Sequence, residues 1–301
     1  MTTERENLFM NAKEVAEYLD LNEKKVYAMA NEQQLPGTKV TGKWLFPKPM
    51  IDRWVMESCH FGMLSDRLII TGSDDPLLQW VINRLGRRIE SAGLVNYCST
   101  GSKLGLNQLA RGHADVCAMH WGDEAERDLR HTALLKRHPQ FKQWVMVHAC
   151  SRDYGLMMRS DHQHLCHDLG ETLALRYRWV ARQEGAGARH HFDNWLTKMH
   201  RTTTDINVVN TAYSERELAG MIARNEAEFG MGCQGIAGEF GLAFVPLGKE
   251  SFDLVMPQGV YFRYLLQQLF ELMQTPDTLA FAQRLGGYDL SGCGRIIWSP
   301  S

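Results

Sequence analysis

Hydroxyl side chains and glycines gather in this 301-residue sequence where apolar, strand-like runs give way to helical ones. Gly72 and Ser73 follow Arg67-Leu-Ile-Ile-Thr71, and Ser99, Thr100, Gly101 and Ser102 follow Leu94-Val-Asn-Tyr97. A helix start presents unpaired N–H donors and about half a positive charge, so such residues there suit an anion. Further on, Arg182, Gly185, Gly187 and Arg189 lead into another helix, Tyr213 and Ser214 precede a third, and His120 closes Ala114-Asp-Val-Cys-Ala-Met119. No comparable set of carboxylates is expected to face these groups, which makes them candidate ligands for a small anion. Plainer readings stand beside this one. Serine and threonine cap helices generally, and Arg182 can be a surface residue. Arg189, just inside a helix start, opposes the dipole there and calls for either a carboxylate partner or an anion to clamp.

The elements that must position these residues alternate between strand and helix from about residue 65 onward. Arg67–Thr71, Leu94–Tyr97 and Ala114–Met119 read as strands, with helices over Leu77 to about Ala92 and Leu104 to Arg111. In the second half, Val145–Ala149, Gly155–Met158, Glu228–Met231, Ala243–Leu247 and Asp253–Met256 read as separate strands, and Leu173–Arg182 contains another. Helices are expected from the Gly185 loop to Met199, from Ser214 to Asn225, and over Tyr261–Met273 and Thr278–Leu285. Repeated strand-turn-helix units predict doubly wound parallel sheets with ligands at the carboxyl ends of the strands. Two similar lobes joined by crossing strands would enclose a cleft.

The first sixty residues follow a different pattern. Asn11 with Glu14 three residues later is a capping box for a short helix whose apolar face is Val15, Ala16, Tyr18 and Leu19. Asn22 caps a second helix, with Val26, Met29 and Ala30 inward and Lys24, Lys25 and Tyr27 outward. Thr38–Phe46 reads as two strands around Gly42, and a last helix from Pro47 to about Met56 carries Ile51, Trp54 and Val55 inward. Residues 8–56 resemble the excisionase and MerR-type winged helix-turn-helix, most specifically in Leu35-Pro-Gly37 and Gly42-Lys-Trp-Leu-Phe46. The resemblance implies that the second helix enters a major groove and the Gly42 turn lies along phosphates. Asn22, Lys24, Lys25, Tyr27, Lys39, Thr41, Lys43 and Trp44 are then the candidate contacts to double-stranded DNA. Residues 24–48 hold five lysines and one glutamate, although residues 1–62 as a whole hold eight Lys/Arg against nine Asp/Glu, so positive charge is concentrated where contact is expected.

Composition bounds the remaining classes. A net charge of −2 and 44% hydrophobic residues describe a globular protein rather than a polybasic or disordered one. No apolar run reaches the length of a membrane span, and Met1-Thr-Thr-Glu-Arg-Glu6 lacks the features of a signal peptide, so no membrane association and a cytoplasmic location are expected. Seven scattered cysteines (59, 98, 117, 150, 166, 233 and 293) without a Cys-x-x-Cys pair suggest reduced thiols. His162, His164, Cys166 and His167 form the densest donor cluster but lack zinc-site spacing, and no metal or other cofactor is expected. No nucleophile with a nearby base stands out, so binding rather than catalysis is expected.

Residues 66–295 resemble the cytoplasmic periplasmic-binding-protein-like domain that is often fused to a helix-turn-helix or to molybdopterin-biosynthesis proteins. The likeness rests on the order of Ser99-Thr-Gly-Ser102, Ala114-Asp-Val-Cys-Ala-Met-His120, Tyr154-Gly-Leu156, Val180-Ala-Arg-Gln-Glu-Gly-Ala-Gly-Ala-Arg189, Glu228-Phe-Gly-Met-Gly232 and Val245-Pro-Leu247 with Phe252-Asp-Leu-Val255. It implies a two-lobed type II binding protein that holds anions by hydroxyls and helix-start N–H groups. Family members have Gly-Ser-Gly-Thr-Arg where this chain has Gly185-Ala186-Gly187-Ala188-Arg189, and Thr-His where it has Ser214-Glu215. Two hydroxyls are lost, which weakens molybdate or tungstate and makes a carboxylate or sulfonate with an apolar portion credible; oxyanions such as molybdate, tungstate or sulfate remain the first candidates and short organic carboxylates or sulfonates the second. The expected architecture is α/β, with a winged helix-turn-helix over residues 1–60 and an effector domain over residues 66–301. Its first lobe would take residues 66–148 and 250–301, and its second residues 149–249. The expected function is a DNA-binding transcriptional regulator, homodimeric or larger because one small reader spans few bases, whose cleft senses a small anion. An anion-binding protein or enzyme of molybdenum-cofactor assembly is the alternative.

Overall fold

The structure is a computed structural model that describes residues 8–32, 34–58, 67–89 and 93–300, and the chain divides between Ser65 and Asp66 into two compact units. The expected junction over residues 59–65 and Cys59 lie outside the described residues.

The N-terminal unit comprises β1 (Phe9–Met10), α1 (Ala12–Leu19), α2 (Glu23–Asn31), β2 (Thr38–Val40), β3 (Lys43–Pro47) and α3 (Lys48–Ser58). The capping box forms as expected: Asn11 Oδ1 accepts from the Lys13 and Glu14 N–H groups at 2.9 and 3.0 Å, and Glu14 Oε2 accepts from Asn11 N–H at 2.7 Å. Asn22 starts α2 in the same manner, accepting from Lys24 N–H at 2.9 Å. Thr41 and Gly42 both adopt positive φ (49° and 83°), which gives the two-residue turn that matches strand twist in a hairpin. Val15, Val26, Leu35, Phe46 and Ile51 fill the core. Two features differ from expectation. A third strand, β1, pairs with β3, and Tyr18 is 51% exposed, its hydroxyl donating to Asp52 Oδ1 at 2.7 Å instead of packing inward.

The second unit begins with β4 (Arg67–Gly72), α4 (Pro76–Ile89), β5 (Leu94–Ser99), α5 (Ser102–Ala110), β6 (Val116–Met119) and α6 (Arg127–Leu135). There follow β7 (Trp144–Met158), β8 (Arg178–Arg182), α7 (Gly187–Lys198), β9 (Asn207–Ala212), α8 (Glu215–Ala223), β10 (Phe229–Cys233), α9 (Gln234–Glu239) and β11 (Ala243–Pro257). The chain closes with α10 (Gln258–Tyr261), α11 (Tyr264–Met273), α12 (Pro276–Leu285), β12 (Tyr288–Asp289) and β13 (Ile296–Trp298). One sheet of ten strands runs in the order β5-β4-β6-β11-β7-β10-β8-β9, with β12 and β13 also paired to β7. β4 is parallel to β5 and β6, and β8 is parallel to β9 and β10. Between these two parallel groups lie β7 and β11, antiparallel to each other over nearly their whole length.

That pairing corrects the expected strand list, because the two pairs of short strands are two continuous 15-residue strands. Polar residues interrupt the apolar runs at Ser151-Arg152-Asp153 and Gly248-Lys249-Glu250-Ser251, which hides the continuity. The ends of β7 and β11 belong to different lobes, so the interruption falls where the chain crosses between them. One core gathers Leu68, Ile70, Leu85, Val147, Leu254 and Leu269, and another gathers Leu156, Trp179, Phe192, Trp195 and Phe229.

Leu254 is fully buried in β11 between β6 and β7. Leu254→Ala should lower stability by about 2–5 kcal/mol through lost transfer energy and a residual cavity, read as a fall in the urea midpoint.

Candidate functional site

Where β7 and β11 cross between the lobes, Arg152 is 1% exposed and every N–H of its guanidinium is engaged. Nε donates to Glu250 Oε1 at 2.7 Å, Nη1 to Asp75 Oδ2 at 2.9 Å and to the Asp74 carbonyl at 3.2 Å, and Nη2 to His120 Nδ1 at 3.0 Å and Glu215 Oε1 at 3.2 Å. Asp75 also accepts from the Tyr288 hydroxyl at 2.7 Å, and Glu215 Oε2 accepts from Cys233 N–H at 2.9 Å. Arg182, 2% exposed, is a second buried cation, donating to Asp74 Oδ1 and the Tyr213 carbonyl, each at 3.2 Å. Asp74 Oδ2 in turn accepts the first N–H groups of α8, from Glu215 at 2.8 Å and Arg216 at 3.2 Å.

The expectation that no carboxylates face the anion-seeking groups is therefore wrong. Asp74, Asp75, Glu215 and Glu250 all converge there, and Asp74 holds the start of α8 as an anion would. Asp74 and Asp75 are hidden in the sequence because Asp-Asp-Pro reads as a turn before a helix. Arg152 and Glu250 leave a clearer trace, since a charge inside an apolar strand is placed there at a cost and demands a partner. His191, also buried beside the cluster, follows His190 on α7 and reads in the sequence only as one of two adjacent residues pointing apart.

The hydroxyls and glycines of the first lobe mostly bond to one another, and a few contacts to main-chain carbonyls join the two lobes beside them. Ser73 and Ser102 share a hydrogen bond at 2.8 Å, and Ser102 donates to the His120 carbonyl at 2.9 Å. Thr100 Oγ1 accepts from Gly72 N–H at 3.1 Å, and Ser99 pairs with Gly72 in the β4–β5 ladder. Across the cleft, Lys103 N–H donates to the Gly185 carbonyl at 3.1 Å and Gln183 Nε2 to the Thr100 carbonyl at 3.3 Å, beside Gly101. Gly187 packs so closely on His120 that a Cβ would lie 2.2 Å from its ring and 2.4 Å from its carbonyl oxygen. The lobes are thus closed on one another. Arg189 takes the first of its two explanations, donating to Asp193 Oδ1 at 2.8 Å, four residues along α7. Ser214 caps α8 through Glu217 N–H at 2.9 Å, and Tyr213 is 66% exposed, contributing its carbonyl to Arg182.

His120 Nδ1 accepts from Arg152, so in the neutral ring Nε2 carries the proton; that atom has no hydrogen-bond partner and lies 3.7 Å from Glu250 Oε2. A protonated Nε2 is unsuited to a metal, and among the described residues no group of three or more His, Cys, Asp or Glu is arranged to hold one. His191 Nε2 lies 2.7 Å from Glu250 Oε2, and the ring also lines a groove of about 430 Å³ together with Asp123 and Lys198. Elsewhere, Ser251 Oγ and Asp253 both meet His148 at Nδ1, at 3.2 and 2.9 Å. In a serine-nucleophile arrangement they would take opposite ring nitrogens.

Burial, reinforced by Arg152, His191 and Arg182, holds His120 well below the usual histidine range, and burial with His191 and Arg130 pushes His190 down to about 4. Burial raises Glu215 against the pull of Arg152. Burial also opposes ionisation of Glu250, but His120, Arg152 and His191 outweigh it and keep this carboxyl below its ordinary range.

Each candidate DNA contact on α2 and the hairpin is exposed except Trp44, which stacks on Phe46 with centroids 5.9 Å apart. Lys24, Lys25, Lys39, Thr41 and Lys43 reach solvent, and Tyr27 is exposed rather than packed. Asn22 and Trp44 therefore have architectural roles as well. No helix among the described residues is long and apolar enough to cross a membrane.

The histidine shifts give stability a definite sign with pH. A depressed folded-state histidine contributes fully above the unfolded value of 6.5 and progressively less as pH falls through the folded one. Glu215, raised, acts in the opposite sense. Thermal unfolding of the full chain should show a lower Tm at about pH 5 than at about pH 7, and His120→Gln should flatten that dependence. An unchanged slope in His120→Gln would remove His120 from the account.

Comparison with known proteins follows the same division of the chain. Residues 9–58 match the helix-turn-helix domain profile, and residues 84–274, more than half the chain, match that of the PBP superfamily domain. The uncharacterized protein YvgK of Bacillus subtilis (strain 168) is 22% identical over 233 residues, covering 76% of this chain and 73% of its own. Among solved structures, H2O2-bound OxyR of Corynebacterium glutamicum superposes with a TM-score of 0.53 at 12% identity, over 91% of this chain and 90% of that one. The tungstate ABC transporter of Geobacter sulfurreducens superposes with a TM-score of 0.52 at 12% identity, over 72% of this chain and 98% of that one. At such identities the structural likeness is one of fold. By its match over residues 84–274 the chain belongs to the PBP superfamily domain family, and it carries a helix-turn-helix domain before that region.

Proposed function

We propose that this protein is a transcriptional regulator that binds DNA through residues 9–58 and senses a small anion between the lobes of its second unit. The observation that carries the anion is the bound state of Asp74. Two main-chain N–H groups at the start of α8 and the buried Arg182 guanidinium, all from the second lobe, converge on a carboxylate supplied by the first. Such a donor set recognises negative charge whatever its source. A molybdate- or tungstate-type oxyanion and a short organic carboxylate or sulfonate are the candidate classes, and the tungstate transporter of the same fold is consistent with the first. Effector binding would alter the setting of the two lobes, and through it the affinity for DNA, by favouring one state over the other. A homodimer or larger assembly on a two-part operator suits a reader this small.

DNA binding rests on Lys24, Lys25, Lys39 and Lys43, all exposed on α2 and the hairpin. The Lys24→Ala, Lys25→Ala double variant should bind upstream DNA more weakly across sequences, with the salt dependence reduced by about one unit per lost phosphate contact. A gel-shift titration at two salt concentrations decides this, and wild-type affinity in the double variant would sink the DNA assignment.

The effector reading is checked by thermal unfolding of the full chain in a panel of anions. A ligand at a hundred times its Kd adds about 2.7 kcal/mol, or roughly 5–10 °C for a domain of this size. Arg182→Met should cut that shift, whereas Arg189→Ala should leave most of it, because Arg189 is paired with Asp193 and reaches the cluster only through the Arg182 carbonyl, at 3.3 Å. Stabilisation by cations or neutral molecules alone would count against an anion sensor.

A further inference from the structure

We infer that the anion taken up by this cleft is a monocarboxylate, and that it binds by replacing the side chain of Asp74. The inference rests on the anion-sensing reading above and specifies which anion binds and what it must displace.

The donor set is built independently of Asp74. Arg182 is oriented by the Tyr213 carbonyl at 3.2 Å and by Gln183 Oε1, which accepts from Nε at 3.0 Å. The remaining N–H in the first turn of α8, from Glu217, is taken by Ser214 Oγ at 2.9 Å. What is left is two N–H groups for one oxygen and one guanidinium nitrogen for the other, and the Asp74 carboxylate satisfies them. Asp74 is only 3% exposed, so its carboxylate fills the site rather than skirting it. The residues around it are tied down elsewhere: Ser73 N–H donates to the Ala118 carbonyl at 2.8 Å, and Asp75 Oδ1 accepts from Leu78 N–H at 2.7 Å to start α4. The Asp74 side chain is thus the movable part.

Charge and hydrogen-bond supply distinguish the anion classes. Asp75, Glu215 and Glu250 remain in the cluster when Asp74 leaves, opposed by Arg152 and Arg182. Exchanging one monoanion for another keeps the buried charge constant, whereas a dianion adds a negative charge in a low-dielectric site. A tetrahedral oxyanion also brings further oxygens in need of donors. The Ser73 and Ser102 hydroxyls cannot supply them, because Ser73 and Ser102 share a bond and Ser102 donates to the His120 carbonyl. Since Asp74 comes from the first lobe and its donors from the second, displacement breaks a contact between lobes. Effector binding at this point uncouples them.

The test uses the full chain, with sodium formate, acetate, sulfate and molybdate at matched ionic strength against sodium chloride. Asp74→Ala should melt below wild type and be restored in a saturable manner by formate and acetate. Its half-saturation concentration should be about tenfold below that of wild type, because no tethered competitor remains. Asp74→Asn, which keeps the shape but is a weaker acceptor, should also bind acetate more tightly than wild type. Adding Arg182→Met to either variant should abolish the response. Acetate acting no better than chloride in both variants, or sulfate or molybdate acting as well as acetate, would overturn the inference. Gel shifts of the same variants separate the two ideas. Acetate binding without any DNA affinity overturns the regulator reading alone, and anion-dependent DNA binding without an acetate response overturns this inference alone.

Discussion

A guanidinium removed from water must have all its N–H groups answered, and in this protein that demand organises the effector unit. Arg152 sits on β7 and draws Glu250 from β11, Asp75 from the start of α4, His120 from the end of β6 and Glu215 from the start of α8. Four separate stretches of chain are brought to one point by one side chain. Removing a partner from such a cluster strands a buried charge, so each of these contacts is costly to break. Apolar packing fills each lobe, but it is the charge cluster that sets where the lobes meet.

The same cluster limits what the cleft can accept. Around it the lobes approach closely enough for main-chain hydrogen bonds, and Gly187 has no room for a side chain because His120 occupies the space. A ligand therefore meets occupied donors and acceptors rather than an empty cavity, and its affinity depends on how well it reproduces the bonds it displaces. The N-terminal unit follows a different economy of design. Its core is small and local, its helices are started by Asn11 and Asn22, and its charges stay on the surface.

Much of the architecture was legible in the sequence where local chemistry decides it. The capping box at Asn11 and Glu14, the positive-φ turn at Thr41-Gly42 and the strand-turn-helix units around Gly72 and Gly101 depend on neighbours in sequence. The continuity of β7 and β11 was not legible, because Arg152 and Glu250 break the apolar pattern and only their pairing across the sheet explains them. The site was partly legible for the same reason. Arg182 and His120 are in the buried cluster, but Ser214 serves as a cap and Arg189 pairs within its helix. The partners that draw Asp74, Asp75 and Glu250 into the cluster, Glu215 for the first and Arg152 for the other two, lie more than seventy residues away.

The path of the chain through the second unit has a consequence for how it is made. The sheet of β5, β4 and β6 is closed by β11, and its core is completed by Leu265, Leu266 and Leu269 of α11. During synthesis from the N-terminus, the helix-turn-helix core is complete once Ile51 has emerged, and the other lobe has its strands once β10 and β11 are made. The lobe that starts first finishes last, and its apolar face waits through more than a hundred residues of translation. Contacts of such long sequence separation form slowly and leave unpaired strand edges open to association in the meantime. Ribosome-bound intermediates, more than the finished protein, are where this topology is exposed to aggregation.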